Sequence, residues 1–445
     1  MIRNLVFSLL IFLLFLPLGC ALSERGPIES IGGVVVDSYK RPLGGVSVRI
    51  IGESILTETK EDGSFFITGL PPGREYTIEF SLAGYKSREE KIYLHEGREV
   101  SLLIELTPTQ TAVSSTFQAP TPTPSLEREY LIFVANSGSK TETEASVEAS
   151  VRNIMIISFK ARKGINYIPW PQSPTWLELA EGGILFVVDK TNTITALDTN
   201  NGYKKLGEIR LSQGTITDLK FNPANQKLYF AGAIQDGLGI GVIDVKSVSL
   251  IKFIPILLSE EEATLSPACI SFSPKGELLF LVLSNYEKGF VKVINLDTES
   301  VIASITAGRF AYGVVPSLEG DRLFITNFID NNLFTVNFSN LQLISQIPTG
   351  INPARLGLCP TTEDLYVLNT KSNTVSIINT LTGKIVMNLQ VGKHPADIKF
   401  SPDGLYAFIS NNESDNVTII NTTYRIIYGI TEPFIYGAPM GLAVK

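Results

Sequence analysis

The chain has 445 residues, room for about three structural units at roughly 150 residues each. Hydrophobic residues at 44% and charged residues at 18% exclude a mainly disordered polymer. The 37 basic and 44 acidic residues leave a net charge of −7, with no basic run able to neutralise several phosphates, so nucleic acid is excluded as an expected partner. Only 2 histidines and 3 cysteines are present. A multi-histidine copper or di-iron centre, a four-cysteine zinc site and a C-x-x-C-H haem attachment all lack their ligands, and a zinc finger fails on spacing. Neither a metal nor a cofactor is expected.

At the N-terminus Arg3 precedes an apolar run from Leu5 to Leu18, broken only by Ser8 and Pro17 and followed by Gly19-Cys20. The run is too short to cross a bilayer of roughly 30 Å and suits a secretory signal over residues 1–20. A cysteine directly after a small residue resembles the lipobox of bacterial lipoproteins, in which Cys20 would be lipidated and become the mature N-terminus. Cleavage after Ala21 is the alternative. Either processing implies an exported chain, and lipidation would hold it in the cell envelope, touching the membrane through a lipid anchor only.

Residues 30–106 alternate as strands do: GGVVVD, GGVSVRII, SILTET, GSFFITGL, EYTIEFSL, EKIYL and EVSLLIEL. Asp62-Gly63 predicts a hairpin between the third and fourth runs, because glycine accepts the positive φ of a tight turn. About seven short strands make a small sandwich. The succession of Pro42, Gly45-Val46, Asp62-Gly63, Phe65, Gly69-Leu70-Pro71, Gly73, Tyr76 and Gly84-Tyr85 resembles the carboxypeptidase regulatory-like domain, a transthyretin-like sandwich. That resemblance implies a non-catalytic accessory module, common in exported and surface proteins. His95 in its last loop is read as solvated. Residues 107–128 (with TPTQTAVSSTFQAPTPTPS) lack apolar periodicity and predict an extended stalk.

Residues 129–445 repeat. Seven segments of the form Leu365-Tyr366-Val367-Leu368-Asn369 recur, each followed by a second strand such as VSIIN and then a third. Each is preceded by another strand marked by Pro174, Ile216, Pro267, Ala311, Pro353, Pro395 or Pro439, at spacings of 42, 51, 44, 42, 42 and 44 residues. Four strands per repeat, seven times, predict a seven-bladed β-propeller. The C-terminus supplies only the first strand of a blade and residues 129–168 only the last three, so one blade is shared between the termini and the ring closes. The fold class is thus all-β: a sandwich followed by a closed propeller. With its SPDG turns (Ser401 to Gly404), the repeat resembles the YVTN β-propeller family, many of whose members are secreted or belong to surface layers. Cys269 and Cys359 fall in apolar strands two blades apart and are read as buried free thiols rather than a disulfide.

Residues recurring in most copies serve the blade, so Asn136, Asp189, Asn285, Asn327, Asn369 and Asn411 are read as turn caps. The innermost strand lines the channel. Counted from each marker, the +3 residues are apolar. The opposite face carries Trp176, Asp218, Cys269, Arg355 and Asp397 at +2, and Glu178, Lys220 and Lys399 at +4. Two readings stand: a polar ligand site with Trp176 as stacking platform and Arg355 as anion clamp, or a self-neutralising charge network between blades. His394, beside Pro395, would serve an enzyme only by pairing with a carboxylate such as Asp397. Asn-x-Ser/Thr triplets at Asn337, Asn412, Asn416 and Asn421 are read as by-products of an Asn-rich repeat. Glu260-Glu261-Glu262 and the insertion at 137–152 are read as solvated excursions. The functional expectation is a non-enzymatic envelope scaffold presenting its propeller to a protein or polysaccharide. The alternative is an exported hydrolase or lyase of the propeller lactonase kind, acting at the channel mouth.

Overall fold

The computed structural model describes residues 30–37, 43–53, 55–60, 63–95, 100–109, 129–138, 152–211, 213–234, 237–431 and 438–445. The signal segment with Cys20, most of the stalk and most of the 137–152 insertion lie outside the described residues.

Seven strands build the N-terminal unit: β1 (Ser30–Asp37), β2 (Ser47–Ile50), β3 (Leu56–Glu58), β4 (Ser64–Thr68), β5 (Arg74–Ser81), β6 (Arg88–Leu94) and β7 (Val100–Leu106). One sheet has the order β4-β1-β7 and the other β3-β2-β5-β6. Alternation puts Val48, Ile50, Phe65, Ile67, Ile78 and Phe80 between the sheets, none more than 5% exposed. Gly33 in β1 is required by close approach, since a Cβ there would lie 2.2 Å from the carbonyl oxygen of Leu102 in β7. The outer-facing Val34 and Val36 of β1 are buried too, packed with Ile426 and Tyr424 of the propeller.

The hairpin expected at Asp62-Gly63 is corrected. Gly63 has φ 73° and donates to the Lys60 carbonyl, so the turn exists, but β3 and β4 lie in different sheets and β4 pairs with β1. The inward-facing Phe65 and Ile67 decide this, because pairing with β1 gives them the core. The start of the stalk also differs from an extended spacer. Thr107 to Thr109 are held on the sandwich by bonds between Lys86 and Thr107 and between Thr109 and Gly84.

Seven four-stranded antiparallel sheets follow. The inner strands of blades 2 to 7 are Pro174–Ala180, Gly214–Asn222, Ser266–Phe272, Ala311–Pro316, Pro353–Leu358 and Pro395–Phe400. The inner strand of blade 1 is Pro439–Val444, which pairs with Leu131–Asn136 so that the two ends of the propeller segment share that sheet. Each inner strand packs against the inner strands of the two neighbouring blades, all the way round the ring. The second strand of every blade places an aromatic in the core. Phe133, Phe186, Phe230, Phe280, Phe324, Tyr366 and Phe408 are all at most 1% exposed. Each such burial contributes about 1.5–3 kcal/mol. The capping asparagines act in turns as expected: Asn411 donates to Asn416 and Thr418, and the Asn285 side chain accepts from the Glu287 and Lys288 amides. Glu262 does not sit in a solvated excursion. It is buried in an ion pair with Lys292, because the turn Glu260–Glu262 directs it into the blade.

Candidate functional site at the central channel

Period-two geometry turns Asp218, Arg355, Asp397 and Trp176 toward the channel. A cavity of about 200 Å³ lies there, bounded by Lys220, Cys269, Arg355, Asp397 and Lys399 among others. Two ion pairs cross the ring. Arg355 Nη1 donates to Asp218 Oδ2 at 3.0 Å, with both side chains under 8% exposed, and Lys399 Nζ donates to Glu178 Oε2 at 2.6 Å. The Arg355 guanidinium also lies 4.4 Å from the Trp176 ring centre and 5.8 Å from that of Tyr312, two cation–π contacts that compensate part of its lost hydration. Its Nε and Nη2 are buried and have no hydrogen-bond acceptor among the described residues.

Each carboxylate has a further task. Phe221 N–H donates to Glu178 Oε1 at 3.1 Å, Ile270 N–H to Asp218 Oδ2 at 2.9 Å and Leu442 N–H to Asp397 Oδ2 at 2.9 Å. In all three cases the donor belongs to the inner strand of the next blade. Second-strand hydroxyls make the complementary link: Ser284, Thr326 and Ser410 donate to the carbonyls of Ala311, Ala354 and Met440 in the following inner strands. These contacts satisfy buried backbone groups at the seams, where ladder bonding stops.

Burial by itself would raise the Asp218 carboxyl, but the charges of Arg355 and Lys220 and the bonds from Arg355 and Ile270 hold it below the usual carboxylate range. Burial disfavours charged Lys399 as well. The neighbouring Glu178 and Asp397 overcome this and raise its pKa. Burial pushes the Cys269 thiol up to about 12. Cys269 and Cys359 are both buried and free, as the apolar strands around them indicated.

His394 departs from its expected place. It has φ 53° in the loop before Pro395, its side chain is half exposed, and Nδ1 lies 3.7 Å from Glu413 Oε1. It does not pair with Asp397, because the loop turns it outward while the strand turns Asp397 into the channel. Thus Trp176, Asp218 and Arg355 come together in one cluster, Asp397 joins the cavity wall, and His394 does not. Tyr312 belongs to the same cluster and was missed. It stands one place after its marker, outside the +2 and +4 positions, and the Phe310-Ala311-Tyr312 pattern alone does not aim it inward. Exposed His95 packs against Tyr93 in a tilted contact with ring centres 4.7 Å apart and takes no part.

The model of the carboxypeptidase regulatory-like domain family matches residues 30–107. No curated protein matched the chain in sequence. Among solved structures, a protein from Lactobacillus plantarum is similar with 16% identity and a TM-score of 0.58, over 71% of this chain and 99% of its own. A functionally unknown protein from Desulfotomaculum acetoxidans aligns over 71% of this chain and 98% of its own, with 17% identity and a TM-score of 0.56. A periplasmic gluconolactonase from Pseudomonas aeruginosa aligns over 71% and 99%, with 15% identity and a TM-score of 0.56. At such identities the likeness is one of fold.

Proposed function

We propose that the protein is an exported cell-envelope scaffold that presents its propeller to a protein or polysaccharide partner. In this reading the propeller carries repeats of the YVTN type, a lipid on Cys20 anchors the chain, and the sandwich and stalk hold the ring off the membrane. The supporting observation is the pairing of the channel charges. Asp218 and Glu178 are each bound to a cation and to a backbone amide of the next blade. A general acid or base must exchange a proton with its substrate, and a carboxylate committed in this way serves the seam instead.

A second reading, lactone hydrolysis at the channel mouth, has the fold likeness to the gluconolactonase in its favour. Its one histidine stands with Glu413 on an exposed loop, away from the channel carboxylates. Crosslinking of the full chain in intact cells, followed by mass spectrometry, tests the scaffold reading. The expected result is one recurrent envelope partner, with the chain in the membrane fraction and released from it by Cys20→Ser. Recovery from the cytosol, or gluconolactone turnover abolished by His394→Ala or Asp397→Asn, would overturn it.

A further inference from the structure

A larger cavity, about 690 Å³, lies away from the channel between the outer edge of blade 1 and the outer strands of blade 2. That volume falls within the roughly 300–1,000 Å³ of small-ligand sites, whereas the channel cavity falls below it. One wall is the segment Pro169 to Gln172, which leads out of blade 1. The other is formed by Asp189 and by Thr191, Thr193 and Thr195 of the following turn and strand.

The repeat provides its own control. The backbone N–H of Trp170 donates to the carbonyl of Arg152, just before the third strand of its blade. The equivalent bond is made by Leu211 to Asn192, Thr349 to Asn331 and Val391 to Asn373. Small or aliphatic residues therefore meet the needs of a blade at this position, and tryptophan is a departure. Trp170 is only 8% exposed, and its Nε1–H is buried without an acceptor among the described residues.

A second departure faces the same cavity. In blades 6 and 7 the second strand ends in asparagine, and Asn369 and Asn411 donate to the hydroxyls of Ser376 and Thr418. Blade 2 has Asp189 there. A carboxylate has no N–H to donate, and Asp189 accepts instead from the Thr191 amide and hydroxyl and from the Thr193 amide. Thr195, the counterpart of Ser376 and Thr418, keeps a hydroxyl with no hydrogen-bond partner among the described residues.

The charges in the cleft are already matched. Lys205 and Arg210 both pair with Glu208, and Asp189 is occupied by the turn. What is open to a ligand is uncharged: the Thr195 hydroxyl and the carboxamide of exposed Gln172, beside the Trp170 side chain and the apolar surfaces of Pro171 and Leu211. We infer that this cleft binds a neutral, hydroxyl-rich ligand, a saccharide segment. Sugar hydroxyls both donate and accept, and ring C–H faces suit proline and leucine. The inference rests on the binding reading above and narrows its partner to a glycan.

The chain contains two tryptophans, so W176F leaves Trp170 as the sole indole reporter. The full chain carrying W176F is titrated with cellotetraose, maltotetraose and N-acetylchitotetraose, and with tetragalacturonate as the charged control. The expected result is a saturable shift of Trp170 emission with at least one neutral tetrasaccharide and none with tetragalacturonate. Calorimetry on the otherwise native chain should show roughly tenfold weaker binding for T195V, which lacks one hydrogen bond. T195V removes only a hydroxyl that bonds nothing else among the described residues. Silence toward all three neutral probes, preference for the charged one, or affinity unchanged by T195V would overturn the inference. If crosslinking finds a protein partner while all the sugars are silent, the scaffold stands and the glycan site falls. If the chain proves cytosolic yet binds a neutral sugar at Trp170, the reverse holds.

Discussion

Arg355 of blade 6 donates to Asp218 of blade 3 at 3.0 Å, across 137 residues of sequence. Two blades lie between them by the shorter way round the ring and three by the longer, so the pair ties opposite sides of the channel in a way that no neighbouring-blade contact does.

Removing one partner strands a buried charge. Asp218→Asn and Arg355→Met are each expected to cost about 3–5 kcal/mol of unfolding free energy. The double variant should cost clearly less than the sum, since neither charge is then left alone. Urea denaturation of the four proteins measures the coupling, and strictly additive losses would show that the pair is not one unit.

Acid should weaken the same tie. The folded pKa of Asp218 is lowered, so its contribution is present above the unfolded carboxylate value of about 3.9 and is lost as pH falls through the folded value. Thermal unfolding followed from pH 6 to pH 2 should show a steeper loss in the native chain than in the D218N/R355M variant below pH ~4. Equal slopes would assign the acid loss to other carboxyls.

The thiol of Cys269, buried and pushed up to about 12, should stay protonated and unreactive at pH 8. Peptide-resolved mass spectrometry after iodoacetamide treatment should find it alkylated only once the protein is unfolded. Rapid modification of the native chain would mean that this blade opens locally.

Asp397 and His394 are three residues apart, with opposite expected effects. Asp397→Ala leaves the Leu442 amide without its acceptor at the seam between blade 7 and blade 1, a loss of about 1–3 kcal/mol. His394→Ala, on an exposed loop, should stay within about 0.5 kcal/mol of the native chain. Chemical denaturation separates the two.

Deleting Pro439 to Lys445 removes the inner strand of blade 1 and bares the edge of Leu131–Asn136. The truncated chain is expected to aggregate or to lose its single cooperative transition, as seen by light scattering and thermal melts. A soluble chain melting at the native temperature would show that closure is not needed.

The periodicity of the chain determined its architecture. Repeated LYV-type strands, regular markers and a blade split between the termini specify a closed ring because each blade buries its core only against the next. The same counting brought Trp176, Asp218, Arg355 and Asp397 to the channel face, since side-chain direction in a strand follows from period two. Only the tertiary structure decided who pairs with whom. The partnership of Arg355 with Asp218, rather than with Asp397 or Glu178, depends on the ring's diameter and on which blades stand opposite. The outward turn of His394 depends on a loop backbone at positive φ, which no spacing rule records. β4 joined β1 instead of β3 because burial of Phe65 and Ile67 outweighs the local preference of a tight turn. The Trp170 cleft was legible only in part. Asp189 was legible as one of the recurring turn caps, but Trp170 carried no signal in the sequence, and only the packing of blade 1 against blade 2 brings both to one cavity.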